Sequence, residues 1–136
     1  MSKYNLSWQA TDEQLLDALL LATGGEGGAT LQDVLLMIDA LDGDVMSLED
    51  LEQGLEKLVS AGFVMVQKNK LALSEQFLAK YEQATLTSTE EAPESPLQKL
   101  LSQTPLTEAG IQQARTESLK KYKLKNHYQQ YQEQFG

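Results

Sequence analysis

Leucine spacing organises the first half of the chain. Across residues 11–23, Leu15, Leu16, Leu19, Leu20 and Ala22 recur at helical intervals and make one wide apolar face. Thr11 or Asp12 can cap this helix, Asp12 and Glu13 suit its positive end, and Gly24 and Gly25 stop it. A second helix begins at Thr30, which with Asp33 approximates a capping box. Its inner side is Leu31, Val34, Leu35, Ile38 and Leu41, and it ends near Asp42, Gly43 and Asp44. A third helix opens at Ser47. Leu48, Leu51, Leu55, Leu58 and Val59 form its stripe, and Gly62 is the expected left-handed terminator.

The period then shortens. "FVMVQ" (63–67) and "KLAL" (70–73) read as two strands joined by a tight turn in which Asn69 takes positive φ. Ser74 caps a short helix to about residue 84, with Phe77, Leu78 and Tyr81 inward. Residues 85–105 are polar and proline-containing and read as a linker, with "LQKLL" as one apolar turn that packs back. Residues 106–136 read as a helical arm. Leu124, Tyr128, Tyr131 and Phe135 follow at steps of four, three and four, a narrow stripe of coiled-coil type.

Three helices followed by a two-stranded hairpin is the winged-helix order. The residues that carry it are "TLQDVLLMIDAL", "SLEDLEQGLEKLVSAGFV" and "MVQKNKLALS". "LEKLVSAGFV" resembles the end of the recognition helix in bacterial winged-helix regulators of the MarR and PadR kinds, and "LALSEQF" resembles their second wing strand turning into the next helix. The resemblance covers residues 8–84. It implies a mainly α fold with a small β-hairpin and a winged-helix domain at 8–84, to which the C-terminal helical arm is added. "PLTEAGIQQA" has a similar look, which leaves a second parsing open: residues 85–104 looped out of an enlarged wing.

Charge separates this chain from that pattern. The net charge is −9. Residues 1–94 hold 17 acids and 5 bases, giving −12; residues 95–136 hold 3 acids and 6 bases, giving +3. The resemblance implies a third helix whose outer side meets DNA. Here that side offers Glu49, Glu52, Gln53 and Glu56, with Lys57 the single base. Duplex affinity comes largely from neutralising phosphates, and such a helix repels them. The acidic helix is therefore expected to meet a basic protein partner or to face solvent. Positive charge lies elsewhere: Lys68 and Lys70 on the wing, and Arg115, Lys120, Lys121, Lys123 and Lys125 on the arm, with Tyr122 and Tyr128 available for stacking.

The remaining constellations are weak. With no cysteine, disulfides, zinc–thiolate sites and a cysteine nucleophile are excluded. "GGEGGAT" (24–30) lacks both the lysine and the preceding strand of a phosphate loop and reads as a connector. "DALDGDVMSLED" (39–50) fails the calcium-loop template in either register. His127 has no histidine or cysteine partner for a metal. No catalytic residue, cofactor site or metal site is assigned. No apolar run reaches membrane length, and the N-terminus lacks the order of a secretory signal, so a cytoplasmic location is expected. The leading expectation is a non-catalytic interaction or assembly module. The alternative is a dimeric DNA-binding regulator that uses the wing and the basic arm, with Leu124, Tyr128, Tyr131 and Phe135 as the dimer or docking stripe.

Overall fold

The computed structural model describes residues 7–24, 27–43, 46–67, 70–87, 96–119, 122 and 124–135. It is mainly helical, with a small three-stranded antiparallel sheet. The order begins α1 (Ala10–Thr23), β1 (Gly28–Ala29), α2 (Leu31–Asp42), α3 (Leu48–Ser60), β2 (Val64–Gln67), β3 (Lys70–Leu73) and α4 (Glu75–Thr87). It continues with α5 (Pro96–Ser102), α6 (Glu108–Gln113), a π-helical turn (Ala114–Ser118) and α7 (Leu124–Phe135).

Local chemistry explains most boundaries. The Thr30 hydroxyl accepts from the Asp33 N–H, and the Ser47 hydroxyl from the Asp50 N–H, so both helices start where their caps lie. α3 ends in paired bonds, Phe63 N–H to the Leu58 carbonyl and Gly62 N–H to the Val59 carbonyl, with Gly62 at φ +81°. This Schellman arrangement satisfies carbonyls that the helix leaves free and aims the chain into β2. Ser74 links that corner to α4: its hydroxyl donates to the Gly62 carbonyl and accepts from the Phe77 N–H. α1 differs from expectation. Its N-cap is Gln9, whose N–H donates to the Asp12 carboxylate, and neither Thr11 nor Asp12 occupies the cap.

β3 lies between β1 and β2. Gly28 pairs with Ala72, and Val64 with Leu73. β1 falls in the glycine-rich stretch expected to be a connector, because two residues are too short to show a strand period. Gly28 is needed there: a Cβ would come 2.9 Å from Lys70 Cβ. Gln67 pairs with Lys70 at the end of the β2–β3 ladder.

One core runs through the molecule. Leu15, Leu16, Leu19, Leu35, Ile38, Leu51, Leu55, Leu58 and Phe77 are fully enclosed, and Phe63 and Phe77 meet at 5.1 Å. Leu97, Leu100 and Leu101 join it, so the expected linker contains a helix of the core, α5. Trp8 ties this end to the start of α1 by donating to the Thr104 carbonyl. Leu41 was expected in the α2 stripe but is 48% exposed, and its neighbours Asp39 and Ala40 in the last turn of the helix are exposed as well. No helix among the described residues is long and apolar enough to cross a membrane.

Candidate functional site

The surface that the sequence singles out is the outer side of α3. In the structure its C-terminal half is enclosed. Leu51 and the run Gly54, Leu55, Glu56, Lys57 and Leu58 are all buried. Successive helical residues turn by about 100°, so five in a row cover the whole circumference. Glu52 and Gln53 are half-buried, and Glu49 is exposed. α1 covers one side; α6, the π-helical turn and α7 cover the other.

Two charged residues of α3 were expected in water and are not there. Lys57 is 2% exposed and donates to the Asp12 carboxylate at 2.8 Å and to the Ser7 carbonyl at 2.9 Å. Asp12 is thereby tied to both the start of α1 and α3. Sequence spacing gave no sign of this, since Lys57 stands beside Glu56 in a run that reads as a polar face. Glu56 is 7% exposed and pairs with Arg115 at 3.1 Å. Burial raises its carboxyl above the ordinary value, Arg115 opposes this, and Glu52 adds to it.

Glycines allow the close packing. At Gly54 a Cβ would lie 3.0 Å from Leu15 Cδ2 and 3.2 Å from Asp12 Oδ1. At Gly110 it would lie 2.7 Å from Ser60 Oγ, so α6 approaches the last turn of α3 as closely as it does because Gly110 lacks a side chain. Gly54 inside a helix was the one legible sign, because mid-helix glycine costs about 1 kcal/mol relative to alanine and so marks a packing need.

The arm is not one helix. Thr107 caps α6, and the Leu119 N–H bonds the Ala114 carbonyl, five residues back. Tyr122 and Leu124 are both buried although two apart, a spacing no helical face provides, and the Leu124 N–H donates to the Tyr122 carbonyl. α7 then lies on α2 and α3. Leu124, Tyr128 and Tyr131 of the expected stripe are buried within the same chain, and the Tyr128 hydroxyl donates to the Met46 carbonyl at 2.8 Å. The Phe135 side chain lies outside the described residues.

Between α3 and this arm is an open cleft of about 450 Å³, lined by Glu52, Glu56, Arg115, Tyr122, Leu124 and Lys125 among others. Its carboxylates face cations of the same chain, so it presents no field of one sign. Tyr122 sits against His127, ring centres 5.0 Å apart. Its buried hydroxyl has no hydrogen-bond partner among the described residues, and burial pushes its pKa up. Of the other expected cationic contacts, Lys70 and Lys125 are exposed; Lys68, Lys120, Lys121 and Lys123 lie outside the described residues. No cluster of three metal-ligating side chains occurs among the described residues. No protein-family model, no curated protein and no solved structure matches this chain.

Proposed function

We propose that this chain is a non-catalytic protein-interaction module on a winged-helix core, in which the third helix is an internal strut. The order helix, strand, helix, helix, strand, strand, with β3 central, supports the winged-helix reading of residues 8–84. The enclosure of α3 carries the functional reading. A helix that reads a major groove must leave one face free to enter it. Here that face is under α6, the π-helical turn and α7, and the residues left at its edge are Glu49, Glu52 and Gln53. The arm packs on the protein itself: Arg115 meets Glu56, and Leu124, Tyr128 and Tyr131 are buried beside α2 and α3. That arrangement favours intramolecular docking of the arm over a homodimer through the stripe.

The test is a fluorescence-anisotropy titration of the full chain against mixed-sequence duplex at low salt, where phosphate contacts are strongest. No saturable binding is expected. Tight, sequence-selective binding would overturn the reading and restore the regulator alternative.

A further inference from the structure

A further apolar surface is formed by α1 and α2. α2 buries Leu31, Val34, Leu35 and Ile38 and turns Asp33, Leu36 and Ala40 to solvent, with Met37 half-buried beside them. Positions 33, 36, 37 and 40 share one helical face. The end of α1 adds Leu21 and Ala22. Together they line a shallow groove of about 310 Å³, in which Leu21 is 50% and Leu36 39% exposed. A grouped apolar surface of this kind marks an interaction site more often than scattered single leucines do.

Charge selects the occupant. Residues 4–56 contain Asp12, Glu13, Asp17, Glu26, Asp33, Asp39, Asp42, Asp44, Glu49, Asp50, Glu52 and Glu56, and not one lysine, arginine or histidine. The groove is formed entirely by this stretch, with Asp33 on its lining. A second copy would bring the same acidic stretch against it. Of the chain's own basic segment, Arg115 pairs with Glu56, and Tyr128 of α7 is anchored at Met46.

We propose that the α1–α2 groove, lined by Leu21, Leu36, Met37 and Ala40 and edged by Asp33, binds a basic amphipathic helix of a partner protein. Apolar side chains at i, i+3, i+4 and i+7 of that helix fill the groove, and a lysine or arginine of it meets Asp33. The inference rests on the interaction-module reading and names where and what that module binds.

The probe is a fluorescein-labelled peptide of about 18 residues, five helical turns, with leucine at i, i+3, i+4 and i+7 and lysine elsewhere. Controls are a shuffled peptide of the same composition and a version with glutamate for lysine. The protein is the full chain, as wild type and as Leu36→Gln, Leu21→Gln and Asp33→Lys, each at an exposed position and each checked for an unchanged melting temperature. The periodic lysine peptide should bind, the shuffled one more weakly, and the glutamate one not at all. Leu36→Gln and Asp33→Lys should each raise Kd by about tenfold. Equal binding by wild type and variants, or by the shuffled peptide, would show generic charge attraction and overturn the proposal. So would sedimentation showing a wild-type dimer that Leu36→Gln converts to monomer, because a second copy would then own the groove. A silent peptide titration overturns the groove assignment alone; selective duplex binding overturns the reading beneath it.

Discussion

Lys57 is the residue on which the interior most depends. Its side chain is held by Asp12 and by the Ser7 carbonyl, and both members of the Lys57–Asp12 pair are buried. Removing one member of a buried pair strands the other, at about 3–5 kcal/mol. Asp12→Ala should therefore lower the unfolding free energy by about that amount in urea titrations. The double variant Asp12→Leu with Lys57→Met should lose less than either single truncation, because no unpaired charge remains. Glu56 makes the opposite contribution. Its carboxyl is raised above the ordinary 4.5, so the folded chain holds that proton more tightly than the unfolded one. The resulting stability is fully present below pH 4.5 and is lost as pH rises through the folded value. Glu56→Gln removes this dependence. Thermal scans across pH should show the variant gaining on wild type from pH 4.5 to neutrality, and a constant difference would contradict the assignment.

At the scale of elements, α3 shows how a helix of ordinary sequence becomes a core strut. Its leucine stripe, its Ser47 cap and its Gly62 terminator are all local signals, and each lies where spacing and residue type put it. Its second buried side is not local. Gly54 lets α1 lie close on that side, and Gly110 does the same for α6. Gly54→Ala gains helix propensity of about 1 kcal/mol. It also pushes a methyl against Leu15 and Asp12, an overpacking cost of about 1–3 kcal/mol. Net destabilisation in urea is expected, whereas an alanine variant more stable than wild type would show that α1 and α3 separate without penalty. The arm shows the reverse lesson. Residues 107–135 have continuous helical propensity, yet the burial of both Tyr122 and Leu124 breaks the helix.

For the molecule as a whole, the C-terminal third completes the fold. Ile111, Ala114, Tyr122, Leu124, Tyr128 and Tyr131 are all buried, and they cover α3 and α2. A large apolar side chain contributes about 1.5–3 kcal/mol when buried. A chain ending at Thr104 forfeits several of these, so its unfolding free energy should fall by more than about 3 kcal/mol. Urea titration of both chains checks this; equal stability would make the arm an ornament. The acidic surface then has a simple physical division. Carboxylates near the arm meet cations within the chain, and those around the α1–α2 groove have no base in their own stretch of sequence.

What could be read from the sequence was what depends on near neighbours. Caps at Thr30, Ser47 and Ser74, the turn at Gly62, strand 70–73 and the inner leucines of α1, α2 and α3 other than Leu41 follow from spacings of two to four residues, and the structure places them there. The spare leucines of α1 and α2 were visible as composition, but periodicity alone cannot tell a covered leucine from an uncovered one. The tertiary structure decided the rest, because it brings together residues far apart in the chain. Lys57 looks solvent-facing until Asp12, 45 positions away, lies beside it. Glu56 looks like a recognition-helix carboxylate until Arg115 covers it, and the tyrosine stripe looks like a dimer seam until Met46, 82 positions from Tyr128, accepts its hydroxyl. Burial belongs to the packed chain and not to the segment, so how much of α3 meets solvent depends on what folds over it.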